Sequence, residues 1–307
     1  MSKTALLFAG QGAQTVGMGK ELAAAPSAKA WFDRANTALG YDLAAICFNG
    51  PEPELTKTEN AQPAIYLVSW VAFELLKERV PGLRFDATAG LSLGEFTALA
   101  AAGAISFEDG LRLVRQRGKF MQEACDATRG GMAAVIGLEE GPTREVCAEA
   151  GVVLANLNCP GQLVISGASE NIAKAVELAK ARGAKRAIAL PVAGAYHSPL
   201  MASAQPKLRA ELGRVTLSVP RVPVIANVTA QAHDSAAITD RLVEQVTASV
   251  RWEESMRHLL AQGFTRSIEL GPGTALSGFM KRIDKTAQML NVADPASLEA
   301  TVKALGN

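Results

Sequence analysis

A chain of 307 residues with 49% apolar content can fill one large core, or a main domain carrying a smaller one. Its 31 basic and 30 acidic residues leave a net charge of +1, which gives no basis for wholesale binding to nucleic acid or to a membrane surface. The four cysteines, Cys47, Cys125, Cys147 and Cys159, form no CxxC pair; neither a zinc site nor a disulfide framework is expected, and the thiols read as reduced, core-packed and cytoplasmic.

No secretory leader is expected, because the opening apolar run stops at Gly10, and no apolar stretch approaches the roughly 18 residues of a membrane span. Short strand-like runs alternate with Ala- and Leu-rich helical stretches, which predicts an α/β fold with a mainly parallel sheet. The first strand falls at 4–8 and enters the loop Gly10-Gln11-Gly12-Ala13-Gln14. Another falls at 86–91 and leads through Ser92 into an Ala-rich helix from Glu95. Ser106-Phe107-Glu108-Asp109 reads as a capping box, opening a helix whose apolar face is Leu111, Val114, Gly118, Met121 and Cys125. Next come a strand (132–137), a helix (142–150), two strands (152–156 and 162–166), a helix (170–182) and a strand (186–190). That β-α-β-β-α-β order is ferredoxin-like. It predicts a unit of residues 128–195 inserted into a core made of 1–127 and 196–307. Late strands are expected at 222–227 and 267–270, and a last helix starts at Pro295 behind Asp294.

Gly90-Leu91-Ser92-Leu93-Gly94 is a G-x-S-x-G sequence between an expected strand and an expected helix, the setting of a nucleophile elbow. A sharp strand-to-helix turn crowds the backbone at both glycines and presents Ser92 Oγ above a helix N-terminus. It also leaves the Leu93 amide free for a developing oxyanion. The bland alternative is an ordinary loop with a serine cap. Three histidines compete to be the base. His258 falls in an amphipathic helix, and His233 in the polar run 229–234, read as an exposed loop. His197 stands where the inserted unit returns to the core, a junction that favours clefts, and is the preferred base. The 10–14 loop can bring a second oxyanion amide to the same sheet edge. It is not a dinucleotide fingerprint, since Thr15 stands where the third glycine belongs, and no Gly-Lys-Ser/Thr follows for a P-loop. Arg117 shares a helical row with Leu113, Phe120 and Ala124. A guanidinium among apolar neighbours requires a carboxylate, from a ligand or in a structural salt bridge; the residues alone leave both open.

Taken together, several ordered motifs resemble the malonyl-CoA:acyl carrier protein transacylase family over nearly the whole chain. They are Phe8-Ala9-Gly10-Gln11-Gly12-Ala13-Gln14, Gln62-Pro63-Ala64, Gly90-Leu91-Ser92-Leu93-Gly94-Glu95, and Arg115-Gln116-Arg117-Gly118-Lys119-Phe120-Met121-Gln122. Asn158-Cys159-Pro160-Gly161-Gln162, His197-Ser198-Pro199-Leu200-Met201, residues 223–227 and Glu269-Leu270-Gly271-Pro272-Gly273 complete them. The resemblance implies an α/β-hydrolase-like core with an inserted ferredoxin-like subdomain and an active site between the two. In that family's terms Ser92 is the nucleophile, His197 the base, and Arg117 the partner of the malonyl carboxylate. The amides of Gln11 and Leu93 hold the oxyanion, and the backbone carbonyl of Gln245, in place of an aspartate, orients the histidine. Asn158 and Asn227 match asparagines near the cleft.

The activity so implied moves a malonyl group from malonyl-CoA to the phosphopantetheine thiol of acyl carrier protein. It would serve fatty-acid synthesis or, alternatively, a polyketide synthase, in a monomer with no cofactor and no metal. The carrier is typically acidic, which makes Lys281 and Arg282 docking candidates, the alternative being an ordinary solvated charged face. In one departure, Leu91 stands where the family often has histidine before the nucleophile, which alters pocket polarity and acyl selection. A serine hydrolase would share the elbow, but the chain has neither an HGGG-type loop nor an Asp-Gly-Gly segment. A carrier-binding subunit without activity would not need every reactive group.

Overall fold

The computed structural model describes residues 3–306, whose strands assemble into two sheets. In chain order they are β1 (Lys3–Phe8), β2 (Ala87–Gly90), β3 (Gly130–Ile136), β4 (Val153–Cys159), β5 (Gln162–Ala168), β6 (Arg186–Ala189), β7 (Val224–Ile225), β8 (Phe264–Leu270) and β9 (Gln288–Val292). Five strands pair in parallel in the order β7-β2-β1-β8-β9. The other four pair antiparallel in the order β4-β5-β3-β6. The fold is therefore α/β with a second, antiparallel sheet, as the periodicity predicts.

Side-chain alternation along β1 decides which core each residue enters. Leu6 and Phe8 pack into the main core with the long helix Thr58–Arg79, whereas Ala5 and Leu7 face Trp252 and Met256 on the other side. In the second sheet, Val135 and Ile165 pack under the helices Glu140–Ala150 and Ser169–Ala181. Met132, Ala155 and Val164 point the other way and join the main core. A short parallel bridge ties β4 to the chain beyond the helix Ile238–Glu244: Leu157 N donates to Val250 O (2.9 Å) and Val250 N to Ala155 O (2.8 Å). Among the described residues no helix is long and apolar enough to cross a membrane.

Three local features depart from the sequence reading. The strand expected at 222–227 shortens to Val224–Ile225, because Ala226 N turns to Gln231 O (2.8 Å) and Ala230 adopts a φ of 56°. β9 is absent from the sequence pattern, since this edge strand is mostly half-buried and its residues neither alternate nor run apolar throughout. Ser106 does cap its helix, accepting from Asp109 N at 3.1 Å, but Asp109 returns its carboxylate to the Ser106 hydroxyl rather than to the amide. The reciprocal box lies at Asp294 and Ser297 instead.

In register, Phe8 of β1 stands beside Gly90 of β2. The loops that follow these strands therefore emerge side by side at the carboxyl edge of the parallel sheet, where such folds place their ligands.

Candidate active site

The 90–94 turn is as tight as the sequence implies. A Cβ on Gly90 would lie 1.9 Å from the Gly94 carbonyl, and one on Gly94 2.3 Å from the Phe8 oxygen. Between them Ser92 takes a φ of 54°, a strained left-handed conformation for a side-chain-bearing residue. Neighbouring side chains hold it there. Asn227 Oδ1 accepts from Ser92 N (2.6 Å), Asn227 Nδ2 donates to Gly90 O (2.8 Å), and Gln245 Nε2 donates to Ser92 O (2.9 Å).

Of the three histidines, His197 meets the serine, with Ser92 Oγ 2.8 Å from its Nε2. Its Nδ1 lies 2.8 Å from the backbone oxygen of Gln245. A carbonyl can only accept, so Nδ1 carries the proton and Nε2 presents its lone pair to the hydroxyl. Burial first, and the Arg117 charge second, push the His197 pKa down to about 4, which keeps the ring neutral near pH 7. His258 lies elsewhere, hydrogen-bonded to Gln262 beside its own helix.

Arg117 arrives from the helix Phe107–Asp126 with 1% of its surface exposed. Its Nη1 donates to Gln62 Oε1 (2.8 Å), and its Nη2 to Ser92 Oγ and Gln245 Oε1 (3.0 Å each). The guanidinium also stands 5.6 Å from the centre of the Phe96 ring. Its Nε has no acceptor, and it makes no ion pair among the described residues. The structural salt bridge left open by the sequence is thus not formed. Burial pushes the Arg117 pKa down to about 10, still cationic at neutral pH.

The Gln11 and Leu93 amides belong to the two adjacent loops, and neither donates a hydrogen bond to another described residue. The Gln11 side chain accepts from Gln62 Nε2 at 3.3 Å. Ser92, His197, Arg117 and Gln11 open onto a cleft of about 970 Å³, within the range of small-molecule sites. Leu91, Gln11 and His197 line one part of it; Asn156, Asn158 and Val164 of the antiparallel sheet line another. Asn158 Oδ1 is buried there without a donor among the described residues.

The expectation for His233 is corrected. Its side chain is fully buried, with Nε2 2.7 Å from Glu95 Oε1. The polar run around it reads as exposed because nothing local reveals the Glu95 carboxylate waiting inside. Glu95 itself was missed as a site residue, although it closes the Gly90-to-Glu95 motif. The Gln245 side chain was missed too: the family pattern points to its carbonyl, and no sequence signal marks the amide that binds Ser92, Arg117 and Glu95. Glu269 of the late Glu-Leu-Gly-Pro-Gly motif is structural, its carboxylate accepting from Leu276 N and Ser277 N at a helix start.

The chain is similar in sequence and fold to known proteins. A family described as "Acyl transferase domain" matches residues 5–298. The malonyl CoA-acyl carrier protein transacylase of Bacillus subtilis (strain 168) is 46% identical over 312 residues, covering 99% of this chain and 98% of that protein. The solved malonyl CoA-acyl carrier protein transacylase of Coxiella burnetii superposes with a TM-score of 0.96 at 37% identity, over 100% of this chain and 98% of that one. A malonyl-transacylase solved in complex with its type II PKS acyl-carrier protein matches with a TM-score of 0.95 at 39% identity, over 99% of this chain and 100% of that one.

Proposed function

The chain belongs to the family of malonyl CoA-acyl carrier protein transacylases, and from that premise we propose how its residues carry out the transfer. It is an acyltransferase that passes the malonyl group of malonyl-CoA to acyl carrier protein, as in fatty-acid synthesis. The observation that carries the residue assignment is Arg117, a buried guanidinium without an acidic partner among the described residues, 3.0 Å from Ser92 Oγ.

His197 Nε2 takes the proton of Ser92 as Oγ attacks the thioester carbonyl. The Gln11 and Leu93 amides hold the oxyanion, each such donor being worth about 100- to 1000-fold in rate. The tetrahedral intermediate expels the CoA thiolate, which leaves with the proton from His197. A malonyl ester remains on Ser92, its free carboxylate anchored at Arg117. The phosphopantetheine thiol of the carrier then enters, gives its proton to His197 and attacks the ester; Ser92 leaves and recovers the proton. A thioester is already electrophilic, so we assign the transfer no resident metal or cofactor.

On this reading the α/β-hydrolase-like core (1–127 and 196–307) supplies the chemistry, and the inserted unit (128–195) supplies the facing wall. Every reacting group comes from one chain, so a monomer suffices. Four buried free thiols suit a reducing cytoplasm. Lys281 and Arg282 are exposed at the end of the helix Ala275–Ile283, whose Leu276 and Phe279 line the cleft, and we assign them to docking an acidic carrier. A carrier from polyketide synthesis is the alternative acceptor, favoured by the likeness to a transacylase solved with such a carrier.

Intact mass after mixing with malonyl-CoA tests the assignment. A gain of one malonyl group, absent in Ser92→Ala and discharged by holo acyl carrier protein, is the expected result. If intact malonyl-CoA leaves no adduct, Ser92 is not the acyl carrier.

A further inference from the structure

Behind the dyad lies a buried hydrogen-bonded pair that the transfer chemistry itself does not use. Glu95 sits in the first turn of the helix Gly94–Ala101, and His233 closes the turn that follows β7. Both side chains are fully buried, and His233 Nε2 donates to Glu95 Oε1 across 2.7 Å. The other carboxylate oxygen accepts from Asn227 N (3.0 Å) and Gln245 Nε2 (2.7 Å). Three donors thus converge on one carboxylate and satisfy both of its buried oxygens.

Each of the remaining partners grips a reacting group. Asn227 holds the elbow on both sides of the nucleophile, through Ser92 N and Gly90 O. Gln245 donates to Ser92 O, accepts from Arg117 Nη2, and offers its backbone carbonyl to His197 Nδ1. The Gln245 amide could serve these neighbours only one way round. A carboxylate accepts and a guanidinium donates, so Nε2 must face Glu95 and Oε1 must face Arg117. Glu95 thereby sets which end of the amide meets which partner.

We propose that Glu95 and His233 are positioning residues of the transfer reaction. The pair fixes Asn227 and the Gln245 amide, and through them the strained Ser92 turn, the His197 ring and the Arg117 guanidinium. His233 acts by occupying Oε1, which leaves Oε2 to the other two donors. Its own backbone is anchored by the bond from His233 N to Val224 O (2.8 Å), and its Nδ1 has no partner among the described residues. The Glu95 charge is also the first influence opposing the burial that lowers the Arg117 pKa.

The inference rests on the transfer reading above, and its test is built to fail separately from it. The full chain and its His233→Ala, His233→Gln and Glu95→Gln variants are compared in two assays. One is the rate of Ser92 labelling by a small fluorophosphonate, which requires only the dyad. The other is kcat and KM for malonyl transfer. His233→Ala and Glu95→Gln should lower labelling and kcat by about 10- to 100-fold. For His233→Ala, KM for malonyl-CoA should move less than about threefold. His233→Gln, whose amide nitrogen lies near the place of Nε2, should recover most of the loss. The proposal is overturned if His233→Ala, folded by circular dichroism and thermal unfolding, labels and turns over at the wild-type rate. It is equally overturned if losses in all three variants follow only the unfolded fraction. A wild-type chain that labels rapidly but transfers no malonyl would sink the transfer reading, while the labelling comparison still decides the positioning role.

Discussion

Arg117 Nη2 lies 3.0 Å from Ser92 Oγ, nearly as close to the nucleophile as His197 Nε2 at 2.8 Å. One oxygen therefore faces both the group assigned to deprotonate it and the group assigned to select the acyl donor. A carboxylate that engages this guanidinium is held within reach of the attacking atom, so recognition and orientation become one event.

The first expectation concerns that contact. Arg117→Ala should reduce acylation by malonyl-CoA by about 100-fold or more, the scale of losing one partner of a buried charge-assisted pair. Acylation by acetyl-CoA, which offers no carboxylate, should fall far less. Initial rates with the two donors decide the matter, and equal losses would remove Arg117 from acyl selection.

The acidic limb of reactivity should lie unusually low. Burial first and Arg117 second bring His197 from its ordinary 6.5 down to about 4. The base works only when neutral, so reactivity is present above the folded pKa and lost as pH falls through it. Ser92 labelling by a fluorophosphonate should stay level from neutral pH to about pH 5 and then decline. Arg117→Gln removes the second cause, and its limb should move to higher pH. A wild-type limb at 6.5 or above would mean that His197 titrates unperturbed.

Gly94 offers a test of the elbow in which the sign is informative. It is the first residue of its helix, where alanine would ordinarily be favoured over glycine by up to about 1 kcal/mol. Here a Cβ would press on the Phe8 and Ala9 oxygens, at 2.3 and 2.8 Å. Gly94→Ala should therefore destabilise the fold by about 3 kcal/mol in urea unfolding and slow Ser92 labelling. A neutral or stabilised variant would show slack in the turn that the packing does not allow.

Carrier docking can be separated from chemistry because the reaction has two halves. Lys281→Glu combined with Arg282→Glu should raise KM for acyl carrier protein by about 5- to 10-fold at low salt. The acylation rate with malonyl-CoA should not change. An unaltered KM would place the carrier on another face.

How much of this was legible beforehand depended on distance along the chain. The elbow was, because the turn that needs Gly90 and Gly94 is closed by residues within the same short segment and by β1 beside it. The β-α-β-β-α-β order was legible for the same reason: apolar periodicity is a local property that survives in the one-dimensional string. His197 was preferred by elimination and location, and the ring does meet Ser92 across a sequence separation of 105.

Only the tertiary structure could decide the rest. The group facing His197 Nδ1 is a backbone carbonyl, which every residue possesses; the family resemblance pointed to Gln245, but nothing in its side chain announces the contact or the amide's own three partners. Whether Arg117 is paired internally depends on which carboxylates the fold brings near, and it brings none into contact. His233 looked exposed because polar side chains are buried only where a distant partner compensates for lost water. That partner, Glu95, stands 138 positions away. The sequence by itself determined the periodicities, the turn and the reactive side chains; folding decided which polar groups meet, because hydrogen bonds and desolvation act through space and not along the chain.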